Sequence, residues 1–79
     1  MAVTHLDHIE LIVNDLEGFA RMFEAMGYVE TSRSEHHGVS IEFQIPGIDQ
    51  PIFEIHQVSG EEVVGVNHLA WRVDDVAAA

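Results

Sequence analysis

Two histidines and a glutamate, His8, Glu54 and His68, are the residues whose types and spacing point most directly to chemistry. Neutral imidazole and carboxylate are the usual nitrogen and oxygen ligands of zinc, nickel, iron, cobalt or manganese. Taken singly, a histidine on a strand is more often a polar residue satisfied by its neighbours, and Glu54 reads as a solvated carboxylate. A repeat sets them apart. The stretches "LDHIELIVNDLEGFA" from Leu6 and "VNHLAWRVDDVAAA" from Val66 begin alike. Each has an apolar residue, a small polar one, a histidine and a branched apolar residue, then an aspartate seven positions past the histidine. His8 and His68 are separated by 60 positions, as are Asp15 and Asp75. Matched residues inside matched patterns favour duplication over coincidence.

The elements that must position these residues follow from periodicity. Residues 6–13 alternate, with Ile9, Leu11 and Val13 on one face and His8, Glu10 and Ile12 on the other, as in a strand. Asn14 or Asp15 caps a helix, with Glu17 placed as in a capping box. Leu16, Phe19, Phe23 and Met26 recur at helical spacing and form its apolar stripe, and Gly27 ends it. Tyr28 to Arg33 is a weak strand, and "SEHHG" (34–38) a turn in which His36 and His37 read as solvated. "VSIEFQI" (39–45) alternates cleanly, "PGIDQP" is a loop, and "IFEIHQV" (52–58) is a strand. After the linker "SGEEVVG", residues 66–73 form a fifth strand, with Leu69, Trp71 and Val73 opposite His68, Ala70 and Arg72. Asp74 or Asp75 would cap a second helix. The order is β-α-β-β-β followed by β and the start of α. We therefore expect an α+β fold with a mixed sheet and one helix on one face. Residues 1–60 form a complete βαβββ module. Residues 61–79 form the linker, first strand and helix start of a truncated second one.

The more apolar face of each strand should meet the helix, making Phe19, Phe23, Met26 and Trp71 core. The opposite face then carries His8, Glu54 and His68 from three strands, able to converge on one ion. Around them lie Glu10, Glu42, Gln44, His56 and Arg72, the candidates for contacting a bound small molecule. His5 lies near the terminus.

Composition narrows the classes. A chain of 79 residues is at most one small domain. A core of that size supplies only about 3–5 kcal/mol, so such chains lean on staples or partners. The apolar fraction of 47 % suits a globular protein. Without cysteine there is no disulfide and no thiolate metal site. A net charge of −11 disfavours nucleic acid. No apolar run approaches the roughly 20 residues that span a bilayer, and no basic region followed by an apolar run opens the chain. A cytoplasmic protein is the expectation.

The segments "DHIELIVNDLE", "IFEIH" and "NHLAWRVDDV" together resemble the vicinal oxygen chelate superfamily. It includes glyoxalase I, methylmalonyl-CoA epimerase, extradiol dioxygenases and the fosfomycin and bleomycin resistance proteins. The resemblance implies paired βαβββ modules curled around a divalent metal. It also implies a ligand set with His8 from the first strand, Glu54 from the last strand of the module and His68 from the next module's first strand. A further glutamate of the family lies on a strand this sequence does not contain. An acid at the Glu54 position resembles the glyoxalase and epimerase pattern more than that of the dioxygenases. It implies metal-assisted proton transfer through an enediolate, in an isomerase or lyase acting on a small oxygen-chelating substrate, with Glu54 also moving the proton. The alternatives are a non-catalytic ligand-binding protein of the resistance type, an extradiol-type dioxygenase and an inactive fragment of a longer enzyme. A homodimer is expected, because the apolar face and open edge of the fifth strand need a cover.

Overall fold

The computed structural model of the chain describes residues 2–35 and 39–75. The turn histidines His36 and His37 and the expected second helix past residue 75 lie outside the described residues. Six elements follow in order: β1 (Val3–Val13), α1 (Leu16–Ala25), β2 (Val29–Ser34), β3 (Ser40–Gln44), β4 (Ile52–Gln57) and β5 (Gly65–Val73). They make an α+β βαβββ module with a fifth strand, in one mixed sheet of order β2-β3-β4-β1-β5. β1 and β4 run parallel, while the β1–β5, β2–β3 and β3–β4 pairs are antiparallel. Among the described residues no helix is long and apolar enough to cross a membrane.

Asp15 is the residue that caps α1, and its carboxylate accepts the Gly18 N–H at 3.1 Å. A Cβ on Gly18 would crowd that carboxylate and displace it from the cap. Glu17 turns away from the expected capping box and pairs with Arg33 on β2. The helix ends as expected at Gly27, with φ +95°. Tyr28 N–H reaches the Phe23 carbonyl and Gly27 N–H the Glu24 carbonyl, both at 3.0 Å, a Schellman termination. Gln57 ties the helix start to β4: it accepts the Leu16 N–H at 3.0 Å and donates to the Asn14 carbonyl at 3.2 Å.

The core lies between α1 and the middle of the sheet. Leu16, Ala20 and Phe23 from the helix meet Val13, Ile41, Phe43 and Ile55 from β1, β3 and β4. Phe23 stacks on Tyr28 and meets Phe53 edge-on, with both ring separations 5.0 Å. Two expected core residues are exposed. Met26 is 59 % exposed because it is the C-cap, where the backbone already turns away. Trp71 is also 59 % exposed, because β5 lies beyond β1, outside the part of the sheet that α1 covers. Ile12 departs from simple alternation: it shares a face with His8 and Glu10, yet is 5 % exposed.

Candidate metal centre

Register, rather than face alone, arranges the open side of the sheet. Glu42 on β3 lies opposite Glu54 on β4, Glu54 opposite Glu10 on β1, and Glu10 opposite His68 on β5. Three carboxylates and an imidazole thus form one row across four strands. Burial, hydrogen bonding with Glu10 and the charges of Glu10 and Glu42 raise the Glu54 carboxyl to about 7.

His8 stands one step along the open face, opposite Ala70 and Ile52. Its Nε2 is 3.1 Å from the Nε2 of His68, with the rings 86° from coplanar. Both Nδ1 atoms already have acceptors. His8 Nδ1 meets Asp7 Oδ2 at 2.8 Å. His68 Nδ1 meets Asn67 Oδ1 at 2.6 Å and Glu10 Oε2 at 2.8 Å. These acceptors favour the Nδ1–H tautomer of each neutral ring, which directs both Nε2 lone pairs into the same space. Two facing lone pairs at that separation repel, and a cation between them would relieve the repulsion. The side chains are 36 % and 47 % exposed, so an ion can reach them.

The donor set can be compared with a divalent ion. Two nitrogens bound tetrahedrally at about 2.0–2.1 Å stand about 3.3 Å apart, close to the observed spacing. Carboxylates hydrogen-bonded to ligand imidazoles are the usual outer support of such sites. The two imidazoles therefore fit a metal. Glu54 lies in the row beside them, hydrogen-bonded with Glu10 and Glu42. Among the described residues no set of three or more histidine and acidic side chains is already gathered as a cation site.

The other expected contact residues fall around this centre. Glu10 supports His68 from the row. Gln44, at the end of β3, lies opposite Ile52 and Val29. His56 is buried, and its Nε2 meets Glu62 Oε1 from the linker at 3.2 Å. Arg72 pairs with Asp7. Hydrogen bonds from His8 and then Arg72 hold the Asp7 carboxyl below its usual range. A cavity of about 330 Å³ opens beside this pair, with Gln50 and Ile52 also in its wall. Asp7 and Asn67 were not among the expected site residues. The signal for them lay in the repeat, since each precedes its histidine.

The β1–β5 pairing also carries the repeat in three dimensions. His8 opposite Ala70 becomes Glu10 opposite His68 when each residue is replaced by its equivalent 60 positions away. Leu6–Trp71 becomes Leu11–Val66, and His5–Arg72 becomes Ile12–Gly65. Ile9–Leu69 maps onto itself. A local twofold axis therefore passes between Ile9 and Leu69 and relates the two histidines.

Residues 7–79 match the family model described as Glyoxalase/Bleomycin resistance protein/Dioxygenase superfamily. The chain belongs to that superfamily, the one its sequence resembles. No curated protein and no solved structure gives a match.

Proposed function

We propose that this chain binds one divalent metal ion through His8 Nε2 and His68 Nε2, with Glu54 as the third ligand, and acts on a small oxygen-chelating molecule. The observation that carries this reading is the 3.1 Å approach of the two Nε2 atoms, each ring held from behind by acceptors at Nδ1. The reaction class is isomerase or lyase proton transfer. When bound, a divalent ion would supply Lewis-acid stabilisation of charge developing on the substrate's oxygens. The remaining work falls to the chain. Asp7 and Glu10 keep the imidazoles in place. Glu54, beside them on the open face, receives and returns the proton. The cavity beside Arg72 and Gln50 gives the rest of the substrate a polar wall.

In the same proposal residues 61–79 begin a second module, which the local twofold between β1 and β5 supports. The same operator would set a second module's equivalent of Glu54 opposite Ala70, hence beside His8. A further module or a second copy could supply that carboxylate. The exposure of Leu69 (48 %) and Trp71 on β5, an edge strand, supports a homodimer.

A second reading, ligand binding without reaction, draws support from Glu54, whose hydrogen bonds run to its two glutamate neighbours. Tight metal retention supports the first reading and counts against the second. Chelator-stripped protein, dialysed against zinc, nickel, cobalt or manganese and then buffer, is expected to hold close to one ion per complete site by elemental analysis. Metal content unchanged by His8→Ala contradicts the metal assignment.

A further inference from the structure

β-bulges mark both histidines. Between the pairs Leu6–Trp71 and His8–Ala70, β1 advances by two residues while β5 advances by one, so Asp7 is the extra residue. Between Glu10–His68 and Leu11–Val66 the imbalance falls on β5, and the extra residue is Asn67. The two bulges are equivalents under the 60-position repeat and under the local twofold. In a flat strand neighbouring side chains point to opposite faces, so residues 7 and 8 would not meet. A bulge re-aims a side chain and is common beside active sites. Here it brings the Asp7 carboxylate onto His8 Nδ1 at 2.8 Å and the Asn67 amide oxygen onto His68 Nδ1 at 2.6 Å.

We propose that Asp7 and Asn67 are the positioning residues of the centre, each using its bulge to hold the next histidine with the proton on Nδ1 and Nε2 free. The proposal deepens the metal reading above and rests on it for its purpose. The two sides differ in their supports. Asp7 is itself fixed from β5 by Arg72, while His68 has Glu10 as a second acceptor. Loss of Asp7 should therefore matter more than loss of Asn67. The equivalence also implies that an amide suffices at position 7, as it does at position 67.

Long-range proton–nitrogen spectra of the metal-free, ¹⁵N-labelled chain, well above the ordinary histidine pKa, report the tautomer of each ring. The parent should show Nδ1–H at His8 and His68. Asp7→Ala should release His8 towards Nε2–H and leave His68 unchanged. Asp7→Asn should restore the parent pattern, and Asn67→Ala should have a small effect because Glu10 remains. Zinc affinity should fall by about 10–100-fold in Asp7→Ala and recover in Asp7→Asn. A His8 tautomer unchanged in folded Asp7→Ala overturns the proposal. Should that variant not fold, the double variant Asn67→Ala, Glu10→Ala puts the same question to His68, where an unchanged tautomer again overturns it. If the parent takes up no zinc while Asp7→Ala switches the tautomer, the metal reading fails and the positioning role stands.

Discussion

The Nε2 atoms of His8 and His68 stand 3.1 Å apart, although 60 positions separate the residues in the chain. The contact depends on β5 returning antiparallel along β1, and on a register that sets Glu10 opposite His68. A change that shifts this register should separate the histidines and loosen both from their acceptors.

The start of α1 offers a local test. Asp15→Ala is expected to cost about 1 kcal/mol, as loss of an N-cap does. Gly18→Ala should fail to deliver the roughly 1 kcal/mol that alanine normally gains over glycine in a helix, because its Cβ displaces the capping carboxylate. Urea unfolding of the two variants checks both. A full propensity gain in Gly18→Ala would show that the cap contributes little.

Ile55 is fully buried among Phe43, Ile41 and α1. Ile55→Val should cost about 0.5–1.5 kcal/mol and Ile55→Ala about 2–5 kcal/mol. In a domain with so small a core, the alanine variant should be largely unfolded at room temperature. Circular dichroism would show this, and an Ile55→Ala variant that melts like the parent would place the core elsewhere.

Glu17 gives a pH signature away from the histidines. Its Oε1 lies 2.5 Å from Arg33 Nη1, and that hydrogen bond holds the carboxyl below its ordinary value of 4.5. A lowered folded pKa means stability present above the unfolded value and lost as pH falls through the folded one. The melting temperature should decline on acidification below about pH 4.5, and Glu17→Gln should flatten that decline. Parallel acid limbs in parent and variant would remove Glu17 from the account.

Trp71 tests assembly. Exposed on β5, it should contribute little to the fold of one chain and much to association between chains. Trp71→Ala should weaken self-association in sedimentation equilibrium at micromolar concentration and keep the parent's circular dichroism. A parent that sediments as a compact monomer refutes the dimer.

The sequence made some of this legible and hid the rest for physical reasons. Alternation in "VSIEFQI" places Ile41 and Phe43 in the core and Glu42 outside it, because a one-residue period error would invert the whole strand. The same alternation names a face without saying whether anything covers it, so Trp71 and Met26 are misjudged. Faces also carry no register. Glu54 and His8 share a side of the sheet, but pairing sets Glu54 between two glutamates and aligns His68 with Glu10. The bulges at Asp7 and Asn67 arise only from the β1–β5 pairing, which neither strand encodes alone.

The proposed ion is shared by the two histidine strands of the repeat, β1 and β5, with Glu54 of β4 as third ligand. Isothermal titration of zinc into chelator-stripped parent, His8→Ala and His68→Ala tests it most directly. One site per complete centre in the parent, lost to a similar extent in either variant and no further in the double variant, is the predicted result. Tight binding that survives both single substitutions would contradict it.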